Sequence, residues 1–193
     1  MRQAVVGFVV AGGQSRRMGR DKALLPWEEG TLLGHALERL RRVTDDVRIL
    51  CGPTPRYESH GAPVVPDTVA DQGALGGVFS GLSALDRPLG LFLAVDLPAV
   101  PVALLEALVA GAPGFDAVVP VSSRGPEPLC AVYSLACLEP IRQRLAAGEA
   151  KMTSFWPDVR VRAWGPADIA PFGEPDALFA NLNHPEDYAL RWP

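Results

Sequence analysis

Apolar residues in this chain fall in short blocks, and the blocks alternate between two periods. Residues 4–10, "AVVGFVV", form a continuous β-branched run that stops at glycines, the pattern of a strand buried on both faces. In "TLLGHALERLRRV" the period changes. Leu32, Leu33, Ala36, Leu37, Leu40 and Val43 lie on one helical stripe, and Thr31 precedes it as a candidate N-cap. Residues 47–51 and 63–67 predict a second and a short third strand. "GALGGVFSGLSAL" reads as a glycine-rich turn leading into a helix.

Residues 89–96, "LGLFLAVD", are the most apolar strand candidate and end in an acid. A helix over "PVALLEALVAG" follows, with Pro101 in its first turn and Gly111 as its stop. "DAVVPV" and "LCAVY" predict two more strands. "SLACLEPIRQRLAAG" predicts a helix that Pro140 kinks or divides. Residues 159–164 alternate like a half-exposed strand. Residues 165–175, rich in proline and glycine, predict a surface loop, and "NHPEDY" the start of a terminal helix.

Strands that alternate with helices predict an α/β fold: a three-layer, doubly wound, mostly parallel sheet. Without repeats, low-complexity stretches or a linker, residues 1–193 read as a single domain. Ligands of such sheets bind beyond the carboxyl ends of the strands. Val10 and Ala11, Asp67 and Asp96 all fall at such ends, so three distant segments are expected at one site.

Charge narrows the ligand. The net charge of -4 gives no overall basic field, so neither nucleic acid nor an anionic membrane is expected as a partner. No apolar run approaches the about 18 to 20 residues of a membrane span, and no signal-peptide pattern opens the sequence. The expectation is a cytoplasmic protein. Cys51, Cys130 and Cys137 are too scattered for a disulfide framework or a CxxC metal site, and read as buried free thiols.

Positive charge is instead local, in "VVAGGQSRRMGRDKALL" (9–25). Small residues at Ala11, Gly12 and Gly13 let backbone N–H groups approach an anion, while Arg16, Arg17 and Lys22 supply formal charge for phosphate oxygens. The spacing matches neither the Walker A loop nor the dinucleotide GxGxxG. Asp96, at the mouth of a buried sheet, reads as a Mg²⁺ ligand, because magnesium needs few protein carboxylates beside phosphate and water oxygens. Its alternative is an N-cap for the next helix. Asp67 reads as a second site acid or as a turn former. His35, His60 and His184 are not candidates for catalysis.

"AGGQSRRMGRDKALL" resembles the AGGxSxRMGxDK signature of the molybdenum cofactor guanylyltransferases, nucleotidyltransferases of Rossmann-like fold. The likeness continues in "PDTVADQGALGG", "AVDLP", "PLCAVY" and "NLNHPEDY", with departures at Cys51, Ala74 and His184. It implies attack by the terminal phosphate of molybdopterin, with or without molybdenum, on the α-phosphorus of GTP, releasing pyrophosphate.

In that reading Val10, Ala11, Gly12 and Gly13 wrap the nucleotide, and Arg17 and Lys22 contact the triphosphate. Asp67 helps hold the nucleotide and Asp96 binds Mg²⁺, for which Mn²⁺ is a substitute. Gly77 lies close to the ligand, and Asn181 and Asn183 face the pterin. Cofactor-insertion proteins and acceptor molybdoenzymes are the implied onward partners. Two enzyme alternatives keep the phosphate chemistry: a CTP-dependent molybdopterin cytidylyltransferase and a sugar-phosphate nucleotidylyltransferase. A nucleotide-binding regulator without catalysis is the third alternative.

Overall fold

The computed structural model describes residues 4–12, 21–69 and 71–182. In chain order it forms β1 (Val5–Val10), the small hairpin β2 (Pro26–Trp27) and β3 (Gly30–Thr31), α1 (Leu32–Val43), β4 (Val47–Leu50), β5 (Val64–Val65) and α2 (Gly73–Ser83). Then come β6 (Leu89–Ala94), α3 (Val102–Ala110), β7 (Ala117–Ser122), β8 (Gly125–Pro126), β9 (Cys130–Ser134), α4 (Leu138–Ala146), β10 (Val161–Trp164) and the short α5 (Pro166–Ile169) and α6 (Pro175–Leu178).

The main sheet runs β10-β7-β9-β6-β1-β4-β5, with β8 paired to β7. β1 pairs in parallel with both β4 and β6, while β9 runs antiparallel between β6 and β7. Alternation divides the core in two. Val5, Val9, Leu91, Leu93 and Val132 pack with α1 and α3 on one face. Val6, Phe8, Phe92, Ala131 and Tyr133 pack with α2 and α4 on the other. Phe8 stacks on Phe92 at 4.9 Å between ring centroids, and Tyr133 meets Phe92 edge-on at 5.6 Å. The three-layer, mostly parallel sheet matches the expectation.

Thr31 caps α1 as predicted, its hydroxyl accepting from the Gly34 N–H at 3.1 Å. Three local expectations change. Pro140 does not kink α4: it falls in the first turn, where no intrahelical N–H is lost, and the break from the preceding 3₁₀ turn lies at Cys137. Pro101 precedes α3 as its cap residue. The stretch expected as a loop over 165–175 contains α5 and a 3₁₀ turn, because Ile169 is fully buried and anchors it to the core. The terminal helix expected near "NHPEDY" lies outside the described residues. Among the described residues, no helix is long and apolar enough to cross a membrane.

Candidate active site

The carboxyl ends of β1, β4 and β5 are stitched together by backbone. Ala11 N donates to Leu50 O at 2.8 Å, Cys51 N to Val65 O at 3.3 Å, and Asp67 N to Gly52 O at 2.8 Å. Gly12 and Gly52 meet main chain to main chain: a Cβ on Gly12 would lie 2.6 Å from Gly52 N. Any side chain at Gly12 would therefore push the two strand ends apart.

Above these ends opens a cavity of about 470 Å³, lined by Val10, Gly12, Asp67, Gln72, Gly73 and Gly77 among others. The first turn of α2 forms one wall, so its N–H groups and positive dipole end border the space. Burial alone pushes the Asp67 carboxyl above its ordinary value. Among the described residues, a Cβ at Gly77 would touch only Asp67 Oδ1, at 3.8 Å, and no packing contact requires glycine there.

One strand over, β6 delivers Asp96. Val95 N donates to Val10 O at 3.1 Å, and Leu97 N turns back to Ala94 O at 3.2 Å. Asp96 does not cap α3, which has Pro101 at its cap and no side-chain hydrogen bond there. Its carboxylate instead meets Lys22: Nζ lies 3.0 Å from Oδ2, with the two side chains 14% and 23% exposed. Two groups 74 positions apart in sequence thus converge at the strand ends.

The loop after Asp96 is held from α1. Arg39 Nη1 donates to Leu97 O and Val100 O at 2.9 and 2.6 Å, and burial lowers its pKa to about 10. His35 places Nε2 3.2 Å from Pro98 O and Nδ1 3.2 Å from a Glu28 carboxylate oxygen, a positioning arrangement rather than a catalytic one.

From the far side, Leu182 N donates to Asp96 O at 3.2 Å, which carries exposed Asn181 to this end of the sheet. Glu127 accepts from the Ser122 hydroxyl at 2.7 Å, and burial raises its carboxyl. All three cysteines are free and buried. The Cys51 thiol donates to backbone carbonyls at 3.6 and 3.7 Å and does not line the cavity.

The structure therefore gathers Val10, Ala11, Gly12, Lys22, Asp67, Gly77 and Asp96 at one end of the sheet, with Asn181 beside them. Gly13, Arg17 and Asn183 lie outside the described residues. Sequence reading missed Asp21, Arg56 and Tyr57, which join this end through side-chain hydrogen bonds. Asp21 stands inside the quoted "RMGRDK" signature, where its acid was given no role. Arg56 and Tyr57 sit in polar, proline- and glycine-rich sequence with no periodicity, so no sequence signal singled them out.

Among the described residues, no three His, Cys, Asp or Glu side chains form a group that could hold a metal ion. A single half-buried carboxylate at the strand ends nevertheless suits a magnesium ion that takes its other oxygens from phosphates and water.

A family model described as the MobA-like NTP transferase domain matches residues 7–159. The probable molybdenum cofactor guanylyltransferase of Chloroflexus aggregans is 36% identical, with 95% of this chain and 91% of that protein covered. The probable enzyme of the same name from Pelotomaculum thermopropionicum is 32% identical, over 94% and 88% of the two chains. The crystal structure of molybdopterin-guanine dinucleotide biosynthesis protein A from Archaeoglobus fulgidus shares the fold. Its TM-score is 0.79 at 23% identity, with 95% of each chain covered.

Proposed function

The chain belongs to the MobA-like NTP transferase family, and from that premise we propose that it transfers GMP from GTP to the terminal phosphate of molybdopterin, releasing pyrophosphate. The observation that carries this reading is the 3.0 Å approach of Lys22 to Asp96 at the end of β6, one strand over from the β1 end that borders the cavity. Metal-assisted phosphoryl chemistry needs a cation and a metal-binding carboxylate at the same point. A protein that only bound nucleotide would have little use for that opposition.

In this mechanism the glycine-lined strand ends and the first turn of α2 receive the nucleotide. Lys22 leaves its ion pair to contact the triphosphate, and Arg17 adds charge there. Asp96 is the residue that would hold Mg²⁺ or Mn²⁺, and when bound the metal supplies positive charge against the departing pyrophosphate. Charge moves onto pyrophosphate as the bond breaks, so cations fixed at that end favour the transition state over the ground state. The nucleophile is already an anionic phosphate, so the chain needs no general base. Asn181 and Asn183 would face the pterin.

Mass analysis of product tests the reading. The protein is incubated with molybdopterin and Mg²⁺ and with GTP, CTP or ATP in turn. The guanine dinucleotide and pyrophosphate are expected, and GTP should raise the melting temperature most. A cytosine product would reject the guanine assignment, and no product with any nucleotide would reject the transfer reaction.

A further inference from the structure

Arg56 and Tyr57 lie outside every residue assigned above, yet their side chains reach three separate segments of the site. The Arg56 guanidinium donates from Nε to Cys51 O at 3.0 Å, at the end of β4, and from Nη2 to Ala11 O at 3.1 Å, at the end of β1. Nη1 lies 3.3 Å from Asp21 Oδ2. Asp21 immediately precedes Lys22 and caps its turn, Oδ1 accepting from Ala23 N at 3.1 Å.

Tyr57 braces the same carboxylate, its hydroxyl 2.7 and 2.9 Å from the two Asp21 oxygens. It is buried, and its backbone is left-handed at φ 73°, a conformation disfavoured for a non-glycine residue. The ring is held in place by the Arg56 guanidinium 4.9 Å above it and by His60 edge-on at 5.8 Å. A strained backbone kept by several contacts points to a placement that matters.

We propose that Arg56 and Tyr57 are positioning residues that hold together the two ends of the glycine- and arginine-rich stretch, Ala11 on one side and Asp21–Lys22 on the other, so that the triphosphate site is set before nucleotide arrives. The proposal rests on the phosphate-loop reading above. A planar guanidinium with five fixed donors can span two carbonyls and a carboxylate at once, whereas a lysine ammonium cannot. Without the clamp only a fraction of molecules would hold Lys22 ready, and apparent nucleotide affinity would fall by that fraction. Saturating nucleotide would restore the arrangement, so turnover at saturation and acceptor affinity would change little.

The test compares Arg56→Ala, Arg56→Lys and Tyr57→Phe with the parent chain, by calorimetric titration of GTP with Mg²⁺ and by steady-state kinetics varying GTP and molybdopterin separately. Arg56→Ala should raise Kd and KM for GTP by about tenfold or more, with kcat and the molybdopterin KM within about threefold. Arg56→Lys should recover only part of that loss, and Tyr57→Phe should shift the same parameters by about threefold to tenfold. A structural staple would instead lower the melting temperature and leave the GTP Kd of folded protein unchanged; that result in either Arg56→Ala or Tyr57→Phe overturns the proposal. Tyr57→Phe removes one oxygen, so it serves if Arg56→Ala does not fold. Parent protein that binds GTP without transferring GMP would reject the proposed function and leave the clamp to be judged on Kd. Parent protein that binds no nucleoside triphosphate would reject both.

Discussion

Alanine at Gly77 should push stability and activity in opposite directions. Gly77 lies within α2, and among the described residues its added Cβ meets only Asp67 Oδ1, at 3.8 Å. Alanine is favoured over glycine inside a helix by about 1 kcal/mol. For a chain of this size that corresponds to a rise of roughly 2–4 °C in melting temperature. The same methyl group enters the cavity that Gly77 lines. If the nucleotide lies there, KM and Kd for GTP should rise by about tenfold or more, equivalent to about 1.4 kcal/mol of lost binding.

Gly81, in the same helix, is the control: its Cβ would fall 2.8 Å from Phe92 Cε1, and Phe92 is fully buried between Phe8 and Tyr133. Overpacking costs about 1–3 kcal/mol, which exceeds the helical gain. Gly81→Ala should melt lower and bind GTP normally. Thermal melts without ligand and titration of GTP with Mg²⁺ give both quantities for each variant. A Gly77→Ala protein that melts higher and binds GTP as tightly as the parent would refute the placement of nucleotide against α2.

Asp96→Asn should cut kcat by roughly 10²-fold or more with a smaller loss of GTP affinity, whereas Lys22→Ala should weaken both; near-normal turnover of folded Asp96→Asn at limiting Mg²⁺ would reduce the acid to a partner for Lys22. Because burial raises the Asp67 carboxyl, the folded state binds protons more readily there than the unfolded chain, and stability is lost as pH rises through that range. Asp67→Asn should therefore be more stable than the parent at pH 7, the gap closing as pH falls toward about 4, while its GTP affinity at pH 7 drops. Urea melts across that range check the sign, and an Asn variant less stable at pH 7 would reveal a favourable partner for the carboxylate. Burial raises the Cys130 and Cys137 thiols to about 12, so replacing all three cysteines with alanine should leave turnover within about tenfold in protein that folds; complete loss in a folded triple variant would restore a thiol role.

Much of this was legible in the chain because it depends on local rules. A continuous β-branched run with sheet neighbours on both sides sends Val5 and Val9 to one core and Val6 and Phe8 to the other, whatever lies elsewhere. Thr31 could be identified as a cap because an N-cap bond spans only three residues. The loop chemistry and the acids at strand ends followed from residue type and position in the same way.

Direction and distance were not legible. Apolar alternation has no polarity, so β9 could be recognised as a strand but not as the antiparallel one. The resemblance marked Gly77, but residue type and spacing alone do not separate it from Gly81; in space Gly81 is blocked by Phe92, whereas Gly77 opens onto the cavity. Ile169 made helix from a stretch whose prolines and glycines predicted loop, because burial outweighed local preference. Arg56 carries no periodic signal, and its three acceptors, at positions 11, 21 and 51, become neighbours only when β1 and β4 pair. Contacts within a turn of chain are set by local stereochemistry; contacts between strand ends exist only after the sheet has closed the long loops between them.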